Sequence, residues 1–159
     1  MNKIDYLEKE LARLLVWIKT ADTRITLILP LTTAMLGAIA AITPVYSKWT
    51  WCVGVSVLIS VLLLASSLIS ISIALFPRTN GPVNSMIFFG GIQTRSLERF
   101  RDDVDNFDEN KYESDLINQC FINAKIANIK FKWVKKSLIF LLVASIPWFY
   151  TIYVFYGIK

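Results

Sequence analysis

Charged residues fall in only some parts of this chain, and the gaps between them set its organisation. Residues 25–47, 49–77 and 137–158 carry no charge at all, in runs of 23, 29 and 22 positions. Each run is rich in Leu, Ile, Val, Phe and Ala. A bilayer core needs about 20 apolar residues per helix, so each run is long enough to cross. A soluble chain of 159 residues cannot cover three helices that are apolar all round, and such helices belong in a membrane. The pattern predicts an all-α integral membrane protein with three transmembrane helices and a cytoplasmic helical bundle or stalk. Four segments follow. Residues 1–24 form a cytoplasmic amphipathic helix, and 25–77 a transmembrane hairpin with spans at about 25–46 and 51–76. Residues 78–136 form a cytoplasmic helical hairpin and stalk, and 137–158 the third transmembrane helix.

The segments between the spans are patterned too. Ile4, Leu7, Leu11, Leu14, Leu15 and Ile18 recur at helical spacing over residues 3–20. That stripe lies on a lipid surface or packs on another cytoplasmic helix, and the interleaved Asp5, Glu8 and Glu10 favour packing. Some 24 charged, amphipathic residues precede the first span, too many for a signal-peptide leader, so all three spans are expected to be kept. Asp22 suits an N-cap at the start of that span, with Arg24 at headgroup level. Pro30 falls inside the span and bends it slightly. Ala34, Gly37, Ala38 and Ala41 in the first span, and Ser56, Ser60, Ser66 and Ser70 in the second, have small-xxx-small spacing. This fits a contact within the hairpin or, alternatively, an oligomer seam.

After Phe76-Pro77, a turn at 79–82 puts Pro82 in the first turn of a new helix. The apolar run 86–92 is too short to cross a bilayer. It lies along the inner membrane face or packs under the bundle. From Gln93 to Phe107, the positions of Leu97, Phe100, Val104 and Phe107 mark one face of a helix. Residues 108–111 form a tip. A long helix begins near Tyr112, with Leu116, Cys120, Ala124, Ala127, Phe131 and Val134 as its apolar stripe, and it runs into the third span.

Charge supplies the topology. Fifteen of the 17 Lys and Arg lie in residues 1–24 and 78–136, and only Lys48 and Lys159 lie elsewhere. The positive-inside rule places the N-terminus and the central segment in the cytoplasm and the C-terminus outside. Tyr46, Trp49 and Trp51 then form an outer aromatic belt. All 12 acids share the cytoplasmic parts, so the net charge of +5 reflects anchoring rather than nucleic-acid binding.

The chemistry is sparse. There is no histidine, which removes His-based nucleophile systems and His-ligated zinc. No phosphate-binding loop, GxGxxG, GxSxG or HExxH is present. Asp102, Asp103, Asp105, Asp108 and Glu109 lack the spacing of a calcium loop and read as a solvated helix end. Cys52 and Cys120 fall on opposite sides of the membrane and stay free. No catalytic residue, metal or cofactor is expected, and the chain is not expected to be an enzyme.

Several features together resemble the transmembrane effector family of Pycsar antiphage systems, the bacterial pyrimidine-cyclase defence. They are Trp17 with Ala21-Asp22-Thr23-Arg24 before the first span, the Phe76-Pro77 exit, and Phe88-Phe89-Gly90. Asp115-Leu116, Gln119 and Ala127-Asn128-Ile129-Lys130-Phe131 continue the likeness to the third span. Arg24 stands where the family more often has Lys, which keeps the charge. Asp22, Arg24, Pro77, Phe89 and Gly90 are thus family-motif positions. The resemblance implies that a partner cyclase makes cUMP or cCMP on infection. The effector responds, the inner membrane loses integrity, and the cell dies before phage are released. Under that implication, Arg95, Arg99, Arg101 and Lys130 are candidate partners of the cyclic phosphate, and Asn118 and Gln119 of base or ribose. Each also fits an ordinary helix-surface residue. Membrane lipid and further copies of the chain are the other implied partners. The alternative is a non-catalytic scaffold or pore-forming subunit whose cytoplasmic bundle docks a protein.

Overall fold

The structure, a computed structural model, describes residues 2–45, 49–76, 81 and 85–158. Tyr46, Lys48, Pro77, Arg78, and residues 79, 80 and Pro82 of the expected turn lie outside the described residues. Five helices make up the fold: α1 (Lys3–Ile42), α2 (Trp51–Leu75), α3 (Phe89–Gln93), α4 (Leu97–Asp105) and α5 (Glu109–Ile158). Parts of α1 and α5, together with α2, are long and apolar enough to cross a membrane. The chain divides into a charged unit, Met1–Thr20 with Pro77–Ile129, and an apolar unit, Ala21–Phe76 with Lys130–Lys159. α1 and α5 each contribute to both.

The apolar unit is a three-helix bundle. Within it α1 and α5 run parallel, since Asp22 meets Lys130 and the Trp148 indole N–H donates to the Met35 carbonyl at 2.9 Å. α2 runs antiparallel to α5. Ser56 lies 2.8 Å from Thr151 Oγ1, and Ser67 lies 2.8 Å from Ser137 Oγ. The core joins Ile25, Leu64, Ile71, Leu141, Ala144 and Phe155 to buried Thr32, Ser60, Ser67 and Ser137. Large side chains such as Leu27 (71% exposed) and Ile146 (74%) point outward, as lipid-facing positions do.

Several expectations are corrected here. The amphipathic segment and the first span are one helix, so Asp22 is no N-cap. Nothing between Thr20 and Arg24 breaks a helix. The Thr20 hydroxyl donates back to the Val16 carbonyl at 2.8 Å and Thr26 to Thr23 at 2.7 Å, so these hydroxyls are satisfied inside the helix. The first span ends at Ile42 rather than 46, ahead of Thr43-Pro44, because the residue before a proline is pushed out of helical geometry.

Ser56 and Ser67 bond to α5, while Ser60, Ser66 and Ser70 donate to carbonyls of α2 itself. In α1, Ala34, Gly37 and Ala41 are exposed and Ala38 is half-buried. In the charged unit the expected 93–107 helix shortens to α4, capped by Ser96, whose side chain accepts from Arg99 N–H. Leu97 (73%) and Val104 of its apolar face are exposed, and so is Phe107, which lies past its end. The α5 helix starts at Glu109, three residues before Tyr112. Asp108 Oδ1 accepts from Asn110 N–H at 3.0 Å and fixes that start. Of the α5 stripe, Leu116, Ala127 and Val134 are buried and Ala124 is exposed.

Candidate functional site

Two polar constructions stand out, one in each unit. In the charged unit, a hub ties the segment before α3 to α5. Ser85 is buried, its hydroxyl donating to Asp115 Oδ2 at 2.8 Å. The same carboxylate oxygen accepts the Met86 N–H at 2.8 Å. Ser85 Oγ in turn accepts from the N–H groups of Ile87 and Phe88, at 3.2 and 2.8 Å, and from Gln119 Nε2 at 3.1 Å. One hydroxyl thus satisfies two amides of a non-helical turn, the role for which serine is suited. Asn123 extends the hub by donating to the Gln119 carbonyl at 2.8 Å.

The hub aims Phe88 between two glycines. A Cβ on Gly81 or Gly90 would sit 2.5 Å from the Phe88 ring, so both positions need the missing side chain. Phe89 packs on Phe88 at 4.6 Å between centroids and is itself exposed.

Elsewhere in this unit α1 meets α5 through Lys3–Glu113 at 2.6 Å and through the Tyr112 hydroxyl, which donates to Glu8 at 2.7 Å. Burial, reinforced by the hydrogen bond and charge of Glu8, pushes the Tyr112 phenol up to about 12. Burial, with Glu10 nearby, also raises the Cys120 thiol. Its Sγ faces the Leu7 carbonyl at 3.5 Å, so the thiol is packed between α1 and α5. Cys52 is free and exposed.

In the apolar unit two sequence motifs converge. Asp22, from Ala21-Asp22-Thr23-Arg24, forms an ion pair with Lys130 of the Lys130-Phe131 motif. The Arg24 guanidinium lies over the Phe131 ring, 5.4 Å from its centroid. Ala21, fully buried, lets the helices approach there.

The candidate nucleotide contacts are distributed as follows. Arg95 has a largely buried side chain and pairs with Asp103 at 3.1 Å. Gln119 is buried in the hub, and Lys130 is held by Asp22 in the apolar unit. Arg99, Arg101 and Asn118 are exposed. Sequence reasoning missed Ser85 and Asn123 altogether. It flagged Asp115 and Gln119 as motif positions without their task. Among the described residues no group of three His, Cys, Asp or Glu is placed to hold a metal.

Comparison with known proteins adds the family. The family described as the Pycsar effector protein domain, PycTM, matches residues 6–157. The chain is also similar to the Pycsar effector protein GmPycTM of Gulbenkiania mobilis, with 31% identity over 77 residues. That stretch covers 48% of this chain and 39% of the relative's length. No solved structure matches. A family match over nearly the whole chain, carried by three helices able to cross a membrane, places this protein in the Pycsar effector family.

Proposed function

We propose that this effector responds to a cyclic pyrimidine mononucleotide, cUMP or cCMP, made by a partner cyclase, and impairs the inner membrane so that infected cells die before releasing phage. The observation that carries this reading is the family match over residues 6–157 of a chain whose membrane-crossing helices α1 and α5 also build its charged unit. A signal bound by the charged unit then acts on the same helices that lie in the bilayer.

The ligand's single negative charge meets the exposed Arg99 and Arg101, with Asn118 available to base or ribose. Binding through Arg95, Gln119 or Lys130 first breaks Arg95–Asp103, the Ser85 hub or Asp22–Lys130. The ligand shifts the population only if it binds the active state more tightly. That active state is a homo-oligomer. Leu97, Val104, Phe107, Ile117 and Phe121 leave apolar area exposed in the charged unit, as an association surface does. The protein works without catalysis. The charge distribution supports a cytoplasmic charged unit in the inner membrane, with the C-terminus outside. A periplasmic reporter fused after Lys159 is then active and one at Glu109 silent.

Calorimetry on the purified full chain tests the signal. cUMP or cCMP binds, and Arg99→Ala with Arg101→Ala weakens binding about tenfold or more, the effect of one charge-assisted hydrogen bond. The proposal fails if neither nucleotide binds a helical preparation whose gene, beside its cyclase, still protects cells from phage.

A further inference from the structure

The apolar unit carries a groove of about 650 Å³ between α1 and α5, within the size range of ligand sites, about 300–1,000 Å³. Leu27, Ile28 and Leu31 line one wall, and Leu138 and Leu141 the other. Arg24 and Lys135 are its only charged lining residues. Because the two helices run parallel and Cα–Cβ bonds tilt toward the helix N-terminus, both cations lean to the same end. Long basic side chains also snorkel toward the headgroups. Arg24 is steadied there by the Phe131 ring. Lys135 is exposed and has no ion pair among the described residues.

Charge complementarity decides the occupant. From Phe131 to Leu141 the α5 wall rises about 15 Å at 1.5 Å per residue. Lys135 sits just before the uncharged run that starts at 137, and Leu138 and Leu141 lie within that run. A groove that begins at the charged edge of a span, apolar along its floor and cationic at one end, has the charge pattern of a single phospholipid with an anionic headgroup. A second copy's helix would cover the same apolar floor but would bring hydrocarbon against Arg24 and Lys135, an expensive arrangement in a membrane. The smaller groove between α2 and α5, about 380 Å³, differs: its one cation, Lys136, lies over Trp133 at 4.2 Å.

We infer that this groove is a binding site for one anionic phospholipid. Its phosphate lies between Arg24 and Lys135, and one acyl chain runs along Leu31 and Leu138. The site is independent of the nucleotide response. It gives the apolar unit a preference for the anionic leaflet that the positive-inside rule assigns to this end.

Native mass spectrometry of the full chain, released from bilayers of equal phosphatidylglycerol and phosphatidylcholine, tests it. One phosphatidylglycerol stays on each chain, preferred about 30-fold, as two cations at about fivefold each provide. Arg24→Gln with Lys135→Gln abolishes the preference. Leu138→Trp fills the groove and removes the lipid while keeping the charge. Lys132→Gln, which takes one charge from the same helix outside the groove, leaves the preference intact. Circular dichroism checks the helix content of each variant, and the charge pair alone decides if Leu138→Trp does not fold. Equal retention of the two lipids overturns the inference. So does an equal loss in Lys132→Gln, which means diffuse attraction. Disulfide formation under added oxidant between two Leu31→Cys chains, both lacking Cys52 and Cys120, overturns it too, because the groove then holds another copy.

Discussion

In the apolar unit five hydroxyls are buried in the core while large hydrocarbon side chains cover the outside; in the charged unit most charges face out and one polar hub is sealed inside. Thr32, Ser60, Ser67, Ser137 and Thr151 are fully buried in the first, while Leu27, Leu58, Ile69 and Ile146 are exposed. In the second, Lys3, Lys9 and Arg13 face outward around buried Leu116, Ser85 and Gln119. The difference follows from the solvent. Lipid gives no reward for burying Leu against Leu, so helices associate through small residues and interhelical hydrogen bonds. Water rewards burial of Leu116 and tolerates a buried serine only when its hydrogen bonds are complete.

That comparison can be broken at its strongest points first. Asp115→Ala removes the acceptor of two hydrogen bonds, from Ser85 and Met86. A loss of about 2–3 kcal/mol is expected in the charged unit, on the scale of bonds to charged groups. Amide exchange at Ile87 and Phe88 then rises about 100-fold. An unchanged rate would mean that the hub does not hold the turn. Ser137→Leu overfills a site with no exposed surface and costs about 2 kcal/mol. Thermal unfolding in micelles falls, while exchange at the hub stays put if the units are built independently.

Asp22→Ala is smaller, about 1 kcal/mol, because Asp22 is 42% exposed and screened. Ser67→Ala costs about 0.6 kcal/mol, the mean for hydrogen bonds between membrane helices. A cost several times larger would mean that hydroxyl pairing dominates the bundle. A last effect is one of pH, absent near neutrality. The protonated Tyr112 phenol donates to Glu8, and the phenolate cannot. The folded pKa of about 12 exceeds the ordinary 10.0, so this contribution is complete below pH 10 and is lost as pH rises toward 12. Tyr112→Phe should flatten that part of the stability profile.

The membrane-crossing helices were legible because an uncharged run of twenty or more residues has few other uses. The caps and partners were not. Asp22 looks the same in one dimension as an N-cap or as half of an ion pair, and its partner lies 108 positions away. Ser85 follows a turn like any loop serine. Its role depends on Asp115 and Gln119, 30 and 34 residues on. Leu97, Phe100 and Val104 of the expected stripe lie on α4 while Phe107 falls past its end, and periodicity cannot say whether anything covers that face. Residues chosen for nucleotide contact by charge alone split for the same reason: Arg95 and Lys130 are engaged in ion pairs, while Arg99 and Arg101 are exposed.

The central claim is that a cyclic pyrimidine nucleotide makes this protein damage a bilayer. Vesicles loaded with a fluorescent dye, carrying the reconstituted full chain and supplied with nucleotide on both faces, test it directly. The account predicts rapid dye release with cUMP or cCMP and none with 5′-UMP or with protein-free vesicles. Intact vesicles under both cyclic nucleotides, with the chain helical and inserted, would contradict it.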